Sequence, residues 1–136
     1  GKTPEETGLI WRALAECESY IVSAGDKVVR PIFFGKGLDK VEEIQQAAQT
    51  LRHELKMIDE RLAGAHWLVG DKISAADIGV FPLVQLLVRA ASKEAAQPLN
   101  LGLLPLAQTF PNIARWVGRI EALPNYQRTY PPHWRP

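Results

Sequence analysis

The chain of 136 residues is poor in the groups that make metal and redox centres. It holds one cysteine, Cys17, so no intrachain disulfide can form. Its three histidines, His53, His66 and His133, stand far apart, and with no Cys/His cluster a zinc site has no ligand set. A basic excess is also missing. Sixteen Lys and Arg face fifteen Asp and Glu, a net charge of +1, and the cations are dispersed along the chain. A nucleic-acid partner is therefore not expected. Without that charge, Trp11, Trp67, Trp116 and Trp134 read as core or edge packing rather than as platforms for bases. The longest apolar run, Ala75 to Ala91, is interrupted by Asp77, Pro82, Gln85 and Arg89, so it reads as a helix of a folded core and no membrane contact is expected. The polar, acidic opening Gly1–Glu6 has no signal-peptide character. With the lone cysteine it points to a reducing, cytoplasmic location. Alternating strand patterns, glycine-rich phosphate loops, internal repeats and low-complexity segments are all lacking.

What is present is an ordinary globular composition, 46% hydrophobic and 23% charged. The length suits one domain over residues 1–136. Helical signals dominate. Thr3, Pro4 and Glu6 form a helix start, followed by apolar residues at helical spacing through Ala24. Gly25-Asp26 is expected to interrupt this helix, with Val28–Phe34 as a bent continuation helped by Pro31. A second helix opens at Asp39 and Glu42. Its apolar positions Val41, Ile44, Ala48, Leu51, Leu55, Ile58 and Leu62 alternate in steps of three and four, a narrow seam. Gly64 is the expected cap at its end. A third helix runs from Ser74 to about Ser92 and is apolar almost all round, which predicts a central place. Pro98, Gly102 and Pro105 make residues 97–109 irregular. Phe110-Pro111 starts a fourth helix, and Pro124 a short fifth that ends before Pro131-Pro132. The fold class is all-α, about five helices in one bundle.

The third helix begins with the word ISAADI. With Ser74 as N-cap, Asp77 falls three residues later, the spacing of a capping box, and Ile73 and Ile78 flank it as a hydrophobic staple. A carboxylate here could also be a base or a metal ligand. Its spacing and the positive end of the helix dipole favour capping.

The longer stretch WLVGDKISAADIGVFPLV, Trp67 to Val84, resembles the motif that opens the central helix of the C-terminal domain of cytosolic glutathione transferases, with Gly70, Asp71, Ser74, Ala76 and Asp77 in the matching places. Pro82 fits that helix, and FPNIARWVGRIEALPNYQR, Phe110 to Arg128, is similar to the family's next segment. The resemblance implies an all-α, glutathione-transferase C-terminal-like bundle. In the family a thioredoxin-like N-terminal domain supplies the catalytic residue and most glutathione contacts. These 136 residues contain no such domain, so no catalytic residue carries over and this chain by itself is expected to be inactive and to bind no cofactor. Glutathione would be the co-substrate of the full-length protein, and the missing domain its first partner. The resemblance further implies that the first long helix lines the pocket of a small apolar electrophile, with Cys17, Tyr20, Ile21, Phe33 and Phe34 as substrate-binding candidates, and that the first two helices support a homodimer. For each of the five the alternative is ordinary core packing. The other reading of the whole chain is a non-catalytic interaction module of the kind found in translation-factor and synthetase complexes.

Overall fold

The start at Thr3 forms as its residues dictate. In the computed structural model, which describes residues 1–134, Thr3 Oγ1 accepts the Glu6 N–H at 3.1 Å and Pro4 takes the first helical position. Helix α1 (Pro4–Glu16) passes through a π-helical segment, Cys17–Val22, into α2 (Ser23–Phe33). The expected interruption at Gly25-Asp26 is absent. Both residues are helical, and the irregularity lies earlier, in the π segment. The reason is tertiary. Gly25 is buried where α2 packs on α4, with Leu87 beside it at an ordinary contact distance of 3.5 Å from where a Cβ would stand, so the packed helix runs through it unbroken. Pro31 sits in the last turn of α2, which Phe34 closes by donating its N–H to Arg30 at 3.0 Å.

A 3-10 turn, Gly37–Lys40, leads into α3 (Val41–Arg61), which packs along α2. Its seam is buried at Ile44, Ala48, Leu51 and Leu55, with Ala47 added. The C-cap is Leu62 in right-handed helical geometry, donating to Ile58 at 3.0 Å. Gly64, expected to cap, keeps a φ outside the left-handed region and lies in the following turn. Gly70 does need its glycine, with φ of +71°, where the chain turns toward the next helix.

Helix α4 (Ala75–Ala91) lies against both α1 and α2. Leu14 of α1 rests over Gly79, where a Cβ would come within 2.5 Å of Leu14 Cδ2. The inner face buries Asp77, Val80, Val84, Leu87 and Ala90, so α4 is central. It is not buried all round: Ile78 and Pro82 stay exposed. After α4 come a 3-10 turn (Glu94–Leu99), a left-handed Asn100 and a cis Leu104–Pro105 bond, then α5 (Leu106–Thr109), α6 (Pro111–Glu121) and α7 (Tyr126–Thr129). Proline does not end regular structure at 131–132, because Pro132–Trp134 forms a further 3-10 turn. Seven α-helices and no strand occur among the described residues. The count exceeds five because the first helix is divided by its π segment and because α5 is a separate short turn of helix.

Helix α6 has no local cap. Phe110 at its N-cap offers no side-chain acceptor. Asp59 of α3 supplies one across the bundle: Oδ1 accepts the N–H groups of Asn112 and Ile113, each at 2.8 Å, and Oδ2 accepts Asn112 Nδ2 at 2.8 Å. An N-terminus whose donors would otherwise be orphaned is thus satisfied by a carboxylate from a different helix. Replacing Asp59 with Ala leaves these donors unpaired at a mostly dry site. Stability should fall by about 3 kcal/mol. Urea unfolding tests this: the midpoint should drop with an unchanged slope, and an unmoved midpoint would contradict the assigned role.

Candidate functional site

Asp77 is fully buried and takes four donors. Oδ2 accepts the Ser74 N–H at 2.9 Å and the Ser74 hydroxyl at 3.0 Å, while Oδ1 accepts the Leu68 N–H at 2.9 Å and the indole N–H of Trp116 at 2.8 Å. Ser74 Oγ in turn accepts the Ala76 N–H at 3.2 Å, and the capping box closes. A carboxylate has about four acceptor directions, so none is left to take a proton from a substrate or to hold a metal. The chemistry of Asp77 is therefore the ordering of three segments: the start of α4, the connector at Leu68 and the core of α6. The Trp116 and Leu68 bonds have no counterpart in the local sequence pattern. Ile73 and Ile78, the expected staple, remain 37% and 61% exposed.

Ile78 opens onto a cavity of about 410 Å³ between the outer face of α4 and the C-terminal segment. Phe81 and Pro82 of α4, Leu123 after α6, and Tyr126, Tyr130 and Trp134 beyond it supply its walls. The rings form a chain of edge-on contacts. Phe81 meets Trp116 at 5.9 Å and Tyr126 at 5.8 Å, and Tyr126 meets Tyr130 at 6.2 Å. Gln85 on the wall donates to Glu121 at 3.0 Å. Burial, and then the nearby Glu121 carboxylate, push the Tyr126 phenol above its ordinary value, so it stays neutral at physiological pH. The size and apolar lining suit the seating of a hydrophobic group. One signal for this site exists in the sequence: α4 has more apolar circumference than a single core face can use.

The five candidates on the first helix do not share that cavity. Cys17 and Ile21 are buried and line a void of about 30 Å³ between α1, α3 and α4, room for roughly one water. Tyr20 is 52% and Phe34 76% exposed. Phe33 lies beneath Arg89 and Lys93, with the cations 5.3 and 4.8 Å from its centroid. Desolvation pushes the Cys17 thiol up to about 11, away from the thiolate that nucleophilic chemistry requires. Neighbouring glutamates do not contribute to this shift. No group of three or more His, Cys, Asp or Glu side chains able to hold a metal occurs among the described residues.

The family model of the glutathione S-transferase C-terminal domain matches residues 25–124. The chain belongs to that family. This glutathione S-transferase C-terminal domain also resembles the crystal structure of a glutathione S-transferase from Xanthobacter autotrophicus Py2, with a TM-score of 0.68 at 22% identity, covering 90% of this chain and 54% of that one. The likeness is one of fold, and the domain spans about half the length of that relative. A search of the curated proteins finds no match. No helix among the described residues of the domain is long and apolar enough to cross a membrane.

Two outcomes follow for the domain. Asp77→Ala removes the acceptor for four donors and should lower stability by at least ~3 kcal/mol, read as a fall in melting temperature or soluble yield. An unchanged melting temperature would refute the hub. Native Cys17 at pH 8 should react with iodoacetamide more slowly than the urea-unfolded chain by on the order of a hundredfold, from the loss of thiolate alone. Raising the pH toward 11 should restore the rate, and equal rates at pH 8 would show the thiol to be exposed.

Proposed function

We propose that this domain is the helical half of a glutathione S-transferase-like protein and that the open apolar face of α4 seats the part of that protein absent from this chain. One observation carries the reading. A central helix of the core leaves Ile78, Phe81 and Pro82 on an open cavity of about 410 Å³. An apolar face of this kind marks an interaction site in a protein that is otherwise well packed. The coverage of 54% of the structural relative supports a partner of comparable size in the parent chain. In this reading the absent half is the thioredoxin-like domain that holds glutathione and activates its thiol by lowering the thiol pKa. The helical half contributes shape to the pocket of an apolar electrophile, with the first helix as one wall, and α1 to α3 offer surface to a second copy. Its cysteine offers no activated thiol, since Cys17 is buried and raised in pKa.

The parent protein, with its upstream sequence restored, tests the reading. It should conjugate glutathione to a chromogenic electrophile, whereas the 136-residue chain should not do so and should pass through a glutathione resin unretained. Ile78→Asp should leave the melting temperature of this chain within about 2 °C, because the side chain is already exposed. In the parent protein the same change should lower activity or separate the two halves under limited proteolysis. Retention of the isolated chain on the resin would overturn the assignment of glutathione binding to the absent half. Association of the parent's two halves without turnover would instead mark an assembly module.

A further inference from the structure

Helix α2 ends at an exposed apolar corner. Phe34 at its C-cap is 76% exposed, and Leu38 in the following 3-10 turn is 70% exposed. These are the highest values among the large apolar side chains described. The backbone that carries them is firmly built. Gly35 takes a φ of +68°, its N–H donates to Ile32 at 3.3 Å, and the Lys36 N–H donates to Pro31 at 2.8 Å. That pair of bonds around a left-handed glycine is the Schellman stop of a helix. An apolar residue commonly follows the glycine there and covers the last turn. Here the place holds Lys36, and Phe34 stays open. Gly37 is then buried against Leu99, where a Cβ would stand 3.1 Å from Leu99 Cδ1. A corner fixed in this way loses little backbone freedom when something binds to it.

Beside the corner runs an open groove of about 400 Å³ between α2 and the start of α3. Four cations line it: Lys27, Arg30, Lys36 and Lys40. Its two carboxylates are already committed, Asp26 to Arg30 at 3.5 Å and Glu43 to Lys40 at 3.4 Å. Lys27 and Lys36 form no ion pair among the described residues. Four cations against two carboxylates leave the groove a surplus of two positive charges, in a chain whose net charge is +1. The complement is an anion with an apolar part. Asp39 stands beside Leu38 outside the groove, so a flat anionic surface pressed on the corner meets a carboxylate as well as the lysines. A narrow chain laid in the groove avoids it. Lys27 precedes Phe34 by seven residues, about 10 Å along a helix, which three residues of extended peptide span.

We propose that this corner and groove bind an acidic peptide segment of a partner protein. An apolar side chain of that segment packs on Phe34, and its carboxylates pair with Lys27 and Lys36. No residue of the groove lines the cleft on α4, so the site is independent of what that cleft seats.

Fluorescence anisotropy of a labelled peptide, Glu-Glu-Phe-Leu-Glu-Glu, titrated with the 136-residue chain, tests the site. Binding should weaken as salt rises from about 0.05 to about 0.5 M, because the pairs are exposed and screened. Phe34→Ala should weaken it about fivefold, the weight of one aromatic contact. Lys27→Gln combined with Lys36→Gln should weaken it about tenfold, the weight of two exposed ion pairs. Lys72→Gln removes an exposed cation outside the groove and should change nothing. All four side chains are exposed, so none of these variants endangers folding. Absence of binding, equal binding of the peptide with lysine in place of each glutamate, or full affinity in the Phe34 and lysine variants would overturn the proposal. Two further results would overturn it by assigning the corner to another occupant. One is retention on vesicles of phosphatidylserine and phosphatidylcholine in equal parts that Phe34→Ala abolishes. The other is a dimer of the chain that Phe34→Ala dissociates.

Discussion

A buried carboxylate with every acceptor position filled holds three parts of this bundle in register. Asp77 is distant from solvent, and both of its oxygens are occupied by N–H and O–H donors. Such a charge is tolerable only because the donors replace the water it gave up. The arrangement is correspondingly unforgiving. A shift of α6 withdraws the Trp116 indole, and a shift of the connector withdraws Leu68. Each movement leaves part of a buried charge unpaired, so a single group specifies the relative placement of elements 39 residues apart in the chain.

Asp59 repeats the device at a second helix start. The carboxylate of α3 meets the first N–H groups of α6, so two helix N-termini packed into the bundle are both capped by aspartate, one from within its own helix and one from a neighbour. The helix dipole makes an anion favourable at each place. Asp77 is left no free acceptor for chemistry, and Asp59 commits its carboxylate to three donors at the start of α6. The polar atoms of the interior are spent on architecture, and the features open to a partner lie outside it, on the outer face of α4 and along the C-terminal segment.

That division explains how far the chain could be read residue by residue. The capping box was legible because it is local: Ser74 and Asp77 are three apart and the helix that follows is strongly apolar. The seam of α3 was legible for the same reason. The position of the bend was not, because the helix through Gly25 is held by packing on α4, far along the chain, and a glycine read locally looks like a break. The Gly64 cap failed similarly, since α3 closes on Leu62 in right-handed geometry and needs no left-handed residue. The five candidates on the first helix share a helix but not a pocket, because the π segment and the packing of α3 direct Cys17 and Ile21 inward while leaving Tyr20 outside.

By itself the sequence determined that the chain is helical, where the central helix starts, what caps it and which family it resembles. These depend on hydrophobic period and on neighbours within one turn. Only the tertiary structure decided that Asp77 also binds Trp116, that Asp59 caps α6, and that the apolar surplus of α4 becomes one wall of a cleft closed by Tyr130 and Trp134. Those contacts join residues separated by tens of positions, where the chain's own periodicity carries no information about which donor meets which acceptor.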